Sequence, residues 1–379
     1  MNSELVASKR RGLRGRSAAR LLAAALLAAP IAAAPATAAT EQAQLDTLYA
    51  AAKAEGGQVT AYMGGDLPNQ WPIILDAFDK RFPGVALTIV TDLSKYHGPR
   101  IENQLATKTL VPDVAVLQTT QDFDRWKKEG YLLQYKPEGW DKIYAFAKDP
   151  EGYWIGAFLA GFTPIVAKSQ LNAGPASFKA SDLLQPQFKD KLIFTYPNDD
   201  DAVLFGFKLL VDKYGWDWLK GVAAQNPTFV RGTPYSSAGV ASGKYLATLA
   251  TAGDPGKDAL PLADNGDPFN SWPQHAAIFK AAKHPAGAKL LYSWLASAEG
   301  QKSAIASWTW PVRSDVAQPV WLKPIKEYKN TDPTAYARFM SDRGAVELFR
   351  SQVELYFKPV SGVDPASPDH ALGVTPTQN

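Results

Sequence analysis

The chain has no cysteine among its 379 residues. That excludes disulfides, thiol nucleophiles, iron–sulfur clusters and Cys-ligated zinc, and it removes the modified cysteine at which a bacterial lipoprotein signal ends. Histidine is scarce, with His97, His275, His284 and His370 scattered along the sequence. No His-Glu-x-x-His pair, Gly-x-Ser-x-Gly elbow, Walker-type loop or Gly-x-Gly-x-x-Gly after a strand is present. A secreted hydrolase using two carboxylates stays open as an alternative, because their separation in space decides that chemistry. Downstream of residue 39 there is no block of five or six basic residues, so nothing favours nucleic acid or an acidic membrane surface as a partner.

The first 39 residues stand apart. Lys9, Arg10, Arg11, Arg14, Arg16 and Arg20 precede the apolar run Leu21 to Ala34, which leads to the small-residue pattern Ala36-Thr37-Ala38. The run is shorter than the roughly 18 apolar residues that a membrane span needs. A cleavable signal peptide is expected over 1–39, cut after Ala38 or Ala39. Ser8-Lys9-Arg10-Arg11-Gly12-Leu13 partly matches a twin-arginine signal, and the export route stays open between that and the general one. The six basic residues and Glu4 carry a net +5, which takes the formal +3 of the whole chain to −2 for the remainder. Export without an anchor points to the periplasm.

What remains is long enough for two cores, and 46% hydrophobic with 20% charged residues is ordinary globular composition. Leu45, Leu48, Tyr49 and Ala52 share one helical face over 42–53. The strand 58–62 follows, then Gly64-Gly65-Asp66, a helix carrying Trp71, Ile74, Leu75 and Phe78, and a strand over 85–90. A polar helix over 99–108, the apolar strand 114–117, Gln118-Thr119-Thr120 and a helix over 122–129 repeat the pattern. Alternating strands and helices predict a mainly parallel sheet with ligands beyond the carboxyl ends of its strands. Those ends carry Gly64, Gly65, Asp66, Gln118 and Thr119.

A long extended stretch over 153–167 is placed as a crossing between lobes, with Gly253 to Asp267 as the return. Between them a second α/β set is expected: strand 192–196, helices 202–214 and 216–224, strand 229–231 and a helix after Tyr235. Asn198-Asp199-Asp200 opens one helix there and Tyr235-Ser236-Ser237 another. Such positions read either as caps or as ligand sites. Tyr153 and Trp272 are candidates to stack on a ligand, against the alternative that they are core.

Several segments resemble bacterial extracellular solute-binding proteins of ABC transporters, in the branch holding ferric-iron, thiamine and phosphonate binders. These are Val59 to Gly65, Asp76-Ala77-Phe78-Asp79-Lys80-Arg81-Phe82-Pro83-Gly84-Val85, Pro112-Asp113-Val114-Ala115-Val116, the stretch Asp182 to Lys191, and His284 through Gln301. The resemblance implies an α/β, two-lobed fold like the type II periplasmic binding proteins, with a hinge of crossing strands. One lobe would cover 40–157 and 268–363 and the other 158–267, with a disordered tail over 364–379. It further implies a monomer that takes a small-molecule solute to an inner-membrane permease, with no cofactor and no catalysis. Ferric binders of that branch use adjacent tyrosines, which this sequence lacks. A small polar organic solute is therefore expected, with ferric iron as the alternative.

Overall fold

The computed structural model describes residues 36–171 and 174–367. The expected leader through residue 35 and His370 lie outside them, while Ala36–Ala39, with the expected cleavage site, belong to the first helix. That helix, α1 (Ala36–Glu55), leads through Gly56-Gly57 into β1 (Gln58–Gly64), α2 (Pro72–Arg81), β2 (Ala86–Asp92), α3 (Ser94–Thr107), β3 (Val114–Leu117) and α4 (Thr120–Lys128). Pro72 opens α2 at the position where a missing N–H costs nothing. Phe82-Pro83-Gly84 closes it, with Gly84 at φ 87°. β1 lies between β2 and β3, parallel to both, and all of β3 is buried, as apolar strands covered by helices on both faces must be.

The extended stretch becomes β4 (Ile155–Ala167). After it come β5 (Ile193–Thr195), α5 (Asp201–Tyr214), α6 (Trp216–Ala224), β6 (Thr228–Val230), α7 (Thr233–Ala241), β7 (Ala247–Thr251), β8 (Ala259–Pro261) and β9 (Asn270–Ile278). α8 (Pro285–Ala296), the short α9 (Ala298–Gly300), α10 (Ala335–Ser341) and α11 (Arg343–Glu354) complete the order.

The main sheet runs β2-β1-β3-β9-β4-β7, with β8 also on β4. β5 and β6 form a parallel pair, tied to β7 by a parallel bridge between Leu192 and Ala247. β4 pairs with β9 through its first half and with β7 and β8 through its second, so β4 and β9 are the strands that pass between lobes. The return crossing is therefore β9, and not the stretch from Gly253 to Asp267, which holds loops and the short β8. Pro273 lacks a ladder donor and obscures the return crossing in sequence. The β4 ladders shift register between Thr163 and Ile165 and between Gly156 and Leu159.

One core lies on the first lobe's sheet under α1, α2 and α8, where Trp294 sits edge-on to Phe78 with centroids 5.5 Å apart. A second cluster, including Phe123 and Trp126, covers that sheet's other face. The other lobe is built around Leu183, Phe194, Val203, Phe207, Trp218 and Leu249. Tyr336, Phe339, Met340, Val346, Phe349, Val353 and Phe357 join this cluster. Hence α10 and α11, expected with the first lobe, bury their apolar stripes in the second, at about 1.5–3 kcal/mol for each large side chain fully buried.

Candidate functional site

Parallel register brings the carboxyl ends of β1, β2 and β3 to one edge. Gly64 is paired with Asp92, and β3 ends one residue before Gln118. Glycine at 64 leaves room here, because a Cβ on it would lie 1.9 Å from Ser94 Oγ and push that hydroxyl aside. The space lets that hydroxyl accept from the Gln118 N–H at 3.1 Å. Gly65 N–H donates to the Asp92 carbonyl at 3.0 Å and so sets the turn that projects Asp66.

The second lobe faces this edge with the amino ends of α5 and α7. Asp200 is the N-cap of α5, accepting from the N–H groups of Ala202 and Val203 at 2.8 and 3.1 Å. Gly232, at φ 83°, turns the chain into α7.

Four contacts join the lobes across the cleft. Asp66 Oδ2 accepts from both the N–H and the hydroxyl of Thr233, at 2.9 and 2.7 Å, and so occupies the positive end of α7. Gln118 donates to Asp200 Oδ1 at 3.2 Å. The ammonium of Lys95 reaches Asp199. Arg231, which donates to Asp199 Oδ2 at 2.7 Å within the second lobe, also donates across to the Tyr96 hydroxyl at 3.2 Å. Beneath them, Asp92 is held by Arg100 at 2.7 Å, and Arg100 in turn meets His97 at 3.0 Å.

The acids of this cluster titrate differently. Burial of Asp199 works against its charge, but Arg231 and Lys95 outweigh it and hold the carboxyl below the usual range. Burial raises Asp66, with the Thr233 hydrogen bonds opposing the rise. Asp200 is pushed up to about 7 by burial and by the charge of Asp66.

Of the sequence-based candidates, Gly64, Gly65, Asp66, Gln118, Asp199 and Asp200 meet at the cleft, with Thr119 buried beside them at the start of α4. The structure gives the others protein partners or surroundings away from these contacts. Asn198 turns its amide to Glu354 at 3.0 Å, toward α11. Ser236 bonds inward to the Thr233 carbonyl and to Thr195 and Thr251, and Ser237 donates to the Asp254 carbonyl. These hydroxyls hold loops in place. Tyr235 is exposed, with its ring beside Gly232. Tyr153 packs on the first lobe's second cluster, under the Lys127 ammonium at 5.1 Å. Trp272, 2% exposed, is core between Phe162 and Tyr336.

Residues missed in sequence are Lys95, Tyr96, Arg231 and Thr233. The signal for the first two was present, since they open the helix after β2 and so sit at a strand's carboxyl end. Among the described residues no group of three or more His, Cys, Asp or Glu is placed to hold a metal ion.

No curated protein matches the chain in sequence. Solved structures share its fold at low identity. Iron-bound HitA from Pseudomonas aeruginosa is 19% identical, with a TM-score of 0.58, and the match covers 78% of this chain and 99% of that one. AfuA from Actinobacillus pleuropneumoniae, a periplasmic binding protein with fructose-6-phosphate bound, is 15% identical, with 0.63 over 80% and 99%. An ABC-transporter substrate-binding protein from Agrobacterium tumefaciens is 12% identical, with 0.67 over 79% and 94%. The model of one family matches residues 64–302, more than half of the chain and most of both lobes. This chain belongs to the bacterial extracellular solute-binding proteins.

Proposed function

We propose that the chain captures a small polar organic solute between its lobes and delivers it to an ABC permease of the inner membrane. It does so as a periplasmic monomer from which residues 1–39 have been removed, and it catalyses no reaction. The lobes divide along β4 and β9, with 335–357 belonging to the second. The observation that carries this reading is the set of polar groups meeting across the cleft: Asp66 with Thr233, Gln118 with Asp200, and Lys95 with Asp199. These are donors and acceptors that a solute can exchange one for one. A solute touching both lobes binds the joined arrangement better than the separated one, and that difference in affinity drives closure.

The relatives' ligands, iron in one and a sugar phosphate in another, define the two arms of the test. Freshly purified protein is weighed under native and denaturing conditions, then screened by thermal shift against amino acids, amines, sugars and their phosphates, and ferric citrate. An organic solute at about 100 times its Kd should add roughly 2.7 kcal/mol of stability. A shift with ferric citrate alone would replace the organic solute by iron. No shift with any compound, together with equal native and denatured masses, would sink the proposal.

A further inference from the structure

The C-terminal segment enters the cleft. After α11 it runs along the second lobe. The Asn198 amide donates to the Lys358 carbonyl at 3.4 Å, Ser361 Oγ meets the Tyr196 hydroxyl at 3.0 Å, and Arg231 donates to the Gly362 carbonyl at 3.4 Å. The chain then turns inward. Asp364, Pro365 and Ala366 are buried, in a turn closed by Asp364 Oδ1 accepting from the N–H groups of Ala366 and Ser367 at 2.9 and 3.2 Å. Residues 364–367 therefore do not belong to a disordered tail.

The turn lies between the two sides of the site. A Cβ built on Gly232 would stand 3.2 Å from Asp66 Cβ and 3.3 Å from Pro365 Cβ. Pro365 thus shares the gap between the loop after β1 and the start of α7. The Asp364 carboxylate adds its negative charge to those of Asp66 and Asp92. A segment bound to one lobe by hydrogen bonds, and set with like charge against the other, is held in place but is poised to leave.

We propose that Ser361–Ser367 is a built-in occupant of the cleft, which covers Asp66 and Thr233 and must be displaced for a solute to reach them. This rests on the reading of the cleft as the solute site, but its test needs no solute. Amide hydrogen exchange is followed in peptides spanning Gly64–Trp71 and Arg231–Ser237, with Leu290–Leu295 of α8 as a core reference. The full chain is compared with one ending at Val360.

Shortening should speed exchange roughly tenfold or more in the two cleft peptides and leave α8 unchanged. A synthetic peptide of residues 361–379 added to the shortened chain should restore protection. Asp364→Asn keeps the turn's acceptor and removes the charge, so it should slow exchange in the same peptides. Unchanged exchange on shortening would overturn the proposal. An equal rise in α8 would also overturn it, by making the segment a brace for the whole fold. If the thermal-shift screen fails while cleft exchange responds, the solute reading alone is lost.

Discussion

Asp200 carries two demands at one position. Its Oδ1 accepts from two N–H groups of α5 and from the Gln118 amide, while burial and the charge of Asp66 raise its pKa from 3.8 to about 7. A folded-state pKa above the unfolded one gives stability that is complete below the unfolded value and is lost as pH rises through the folded value. The loss therefore falls between about pH 4 and 7. Asp200→Asn keeps an acceptor for the cap and removes the charge. Relative to wild type, it should be more stable at pH 8 than at pH 4 by on the order of 2–4 kcal/mol. Urea unfolding at the two pH values measures this, and an equal difference at both would show that the carboxyl is already relieved of its burial. The run Asn198-Asp199-Asp200 was legible as a helix start bearing more acid than a cap requires. Its division of labour was not, because Lys95, Gln118 and Arg231 approach from 104, 82 and 32 residues away. The protein partners of Ser236 and Ser237 were hidden for a related reason. The same hydroxyls suit a ligand or a loop, and only the fold chooses.

Elements were legible where one period dominates. The apolar run of β3 and the stripe of α2 appear where the spacing puts them, within one or two residues. β7, β8 and β9 were not read as strands, since β8 and β9 contain Pro261 and Pro273 and β7 lies between loops rich in glycine. α8 shows packing overruling propensity. Gly287 lies inside this helix, where alanine is intrinsically better by about 1 kcal/mol. A Cβ there would come within 2.3 Å of the Gln58 carbonyl oxygen of β1, a backbone atom that cannot rotate away. Overpacking of this kind costs about 1–3 kcal/mol, occasionally more, so against the propensity gain Gly287→Ala should destabilise the protein by up to roughly 2 kcal/mol net. Thermal unfolding reads the sign directly, and a stabilised variant would mean that α8 can step off the sheet.

At the scale of the whole molecule, the resemblance in sequence gave two lobes and a hinge, but it could not say how the last part of the chain divides. The helical stripes of α10 and α11 are visible in sequence. Their partners are not, because the second core they enter is assembled from residues on both sides of β9. The lobes also meet through groups of unequal weight, which makes their separation testable without harming either core. Lys95 is a partly exposed member of the first lobe, and its partner Asp199 is buried and keeps Arg231 as a second cation within its own lobe. Lys95→Met therefore removes a bridge without leaving a buried charge unpaired. A pair with one partner in solvent is worth about 0–1 kcal/mol, so the melting temperature should move by at most a few degrees. The radius of gyration from small-angle scattering should rise, because the joined arrangement loses an inter-lobe contact while the separated one loses nothing. Arg231→Met is the contrasting case. It leaves Asp199 with only the partly exposed Lys95 and takes away a buried charge-assisted hydrogen bond, so it should cost more stability than Lys95→Met, on the order of 1.5–3 kcal/mol. If Lys95→Met left the scattering unchanged, the ion pair would be incidental, and the lobes would be held by Asp66 on Thr233, Gln118 on Asp200 and Arg231 on Tyr96.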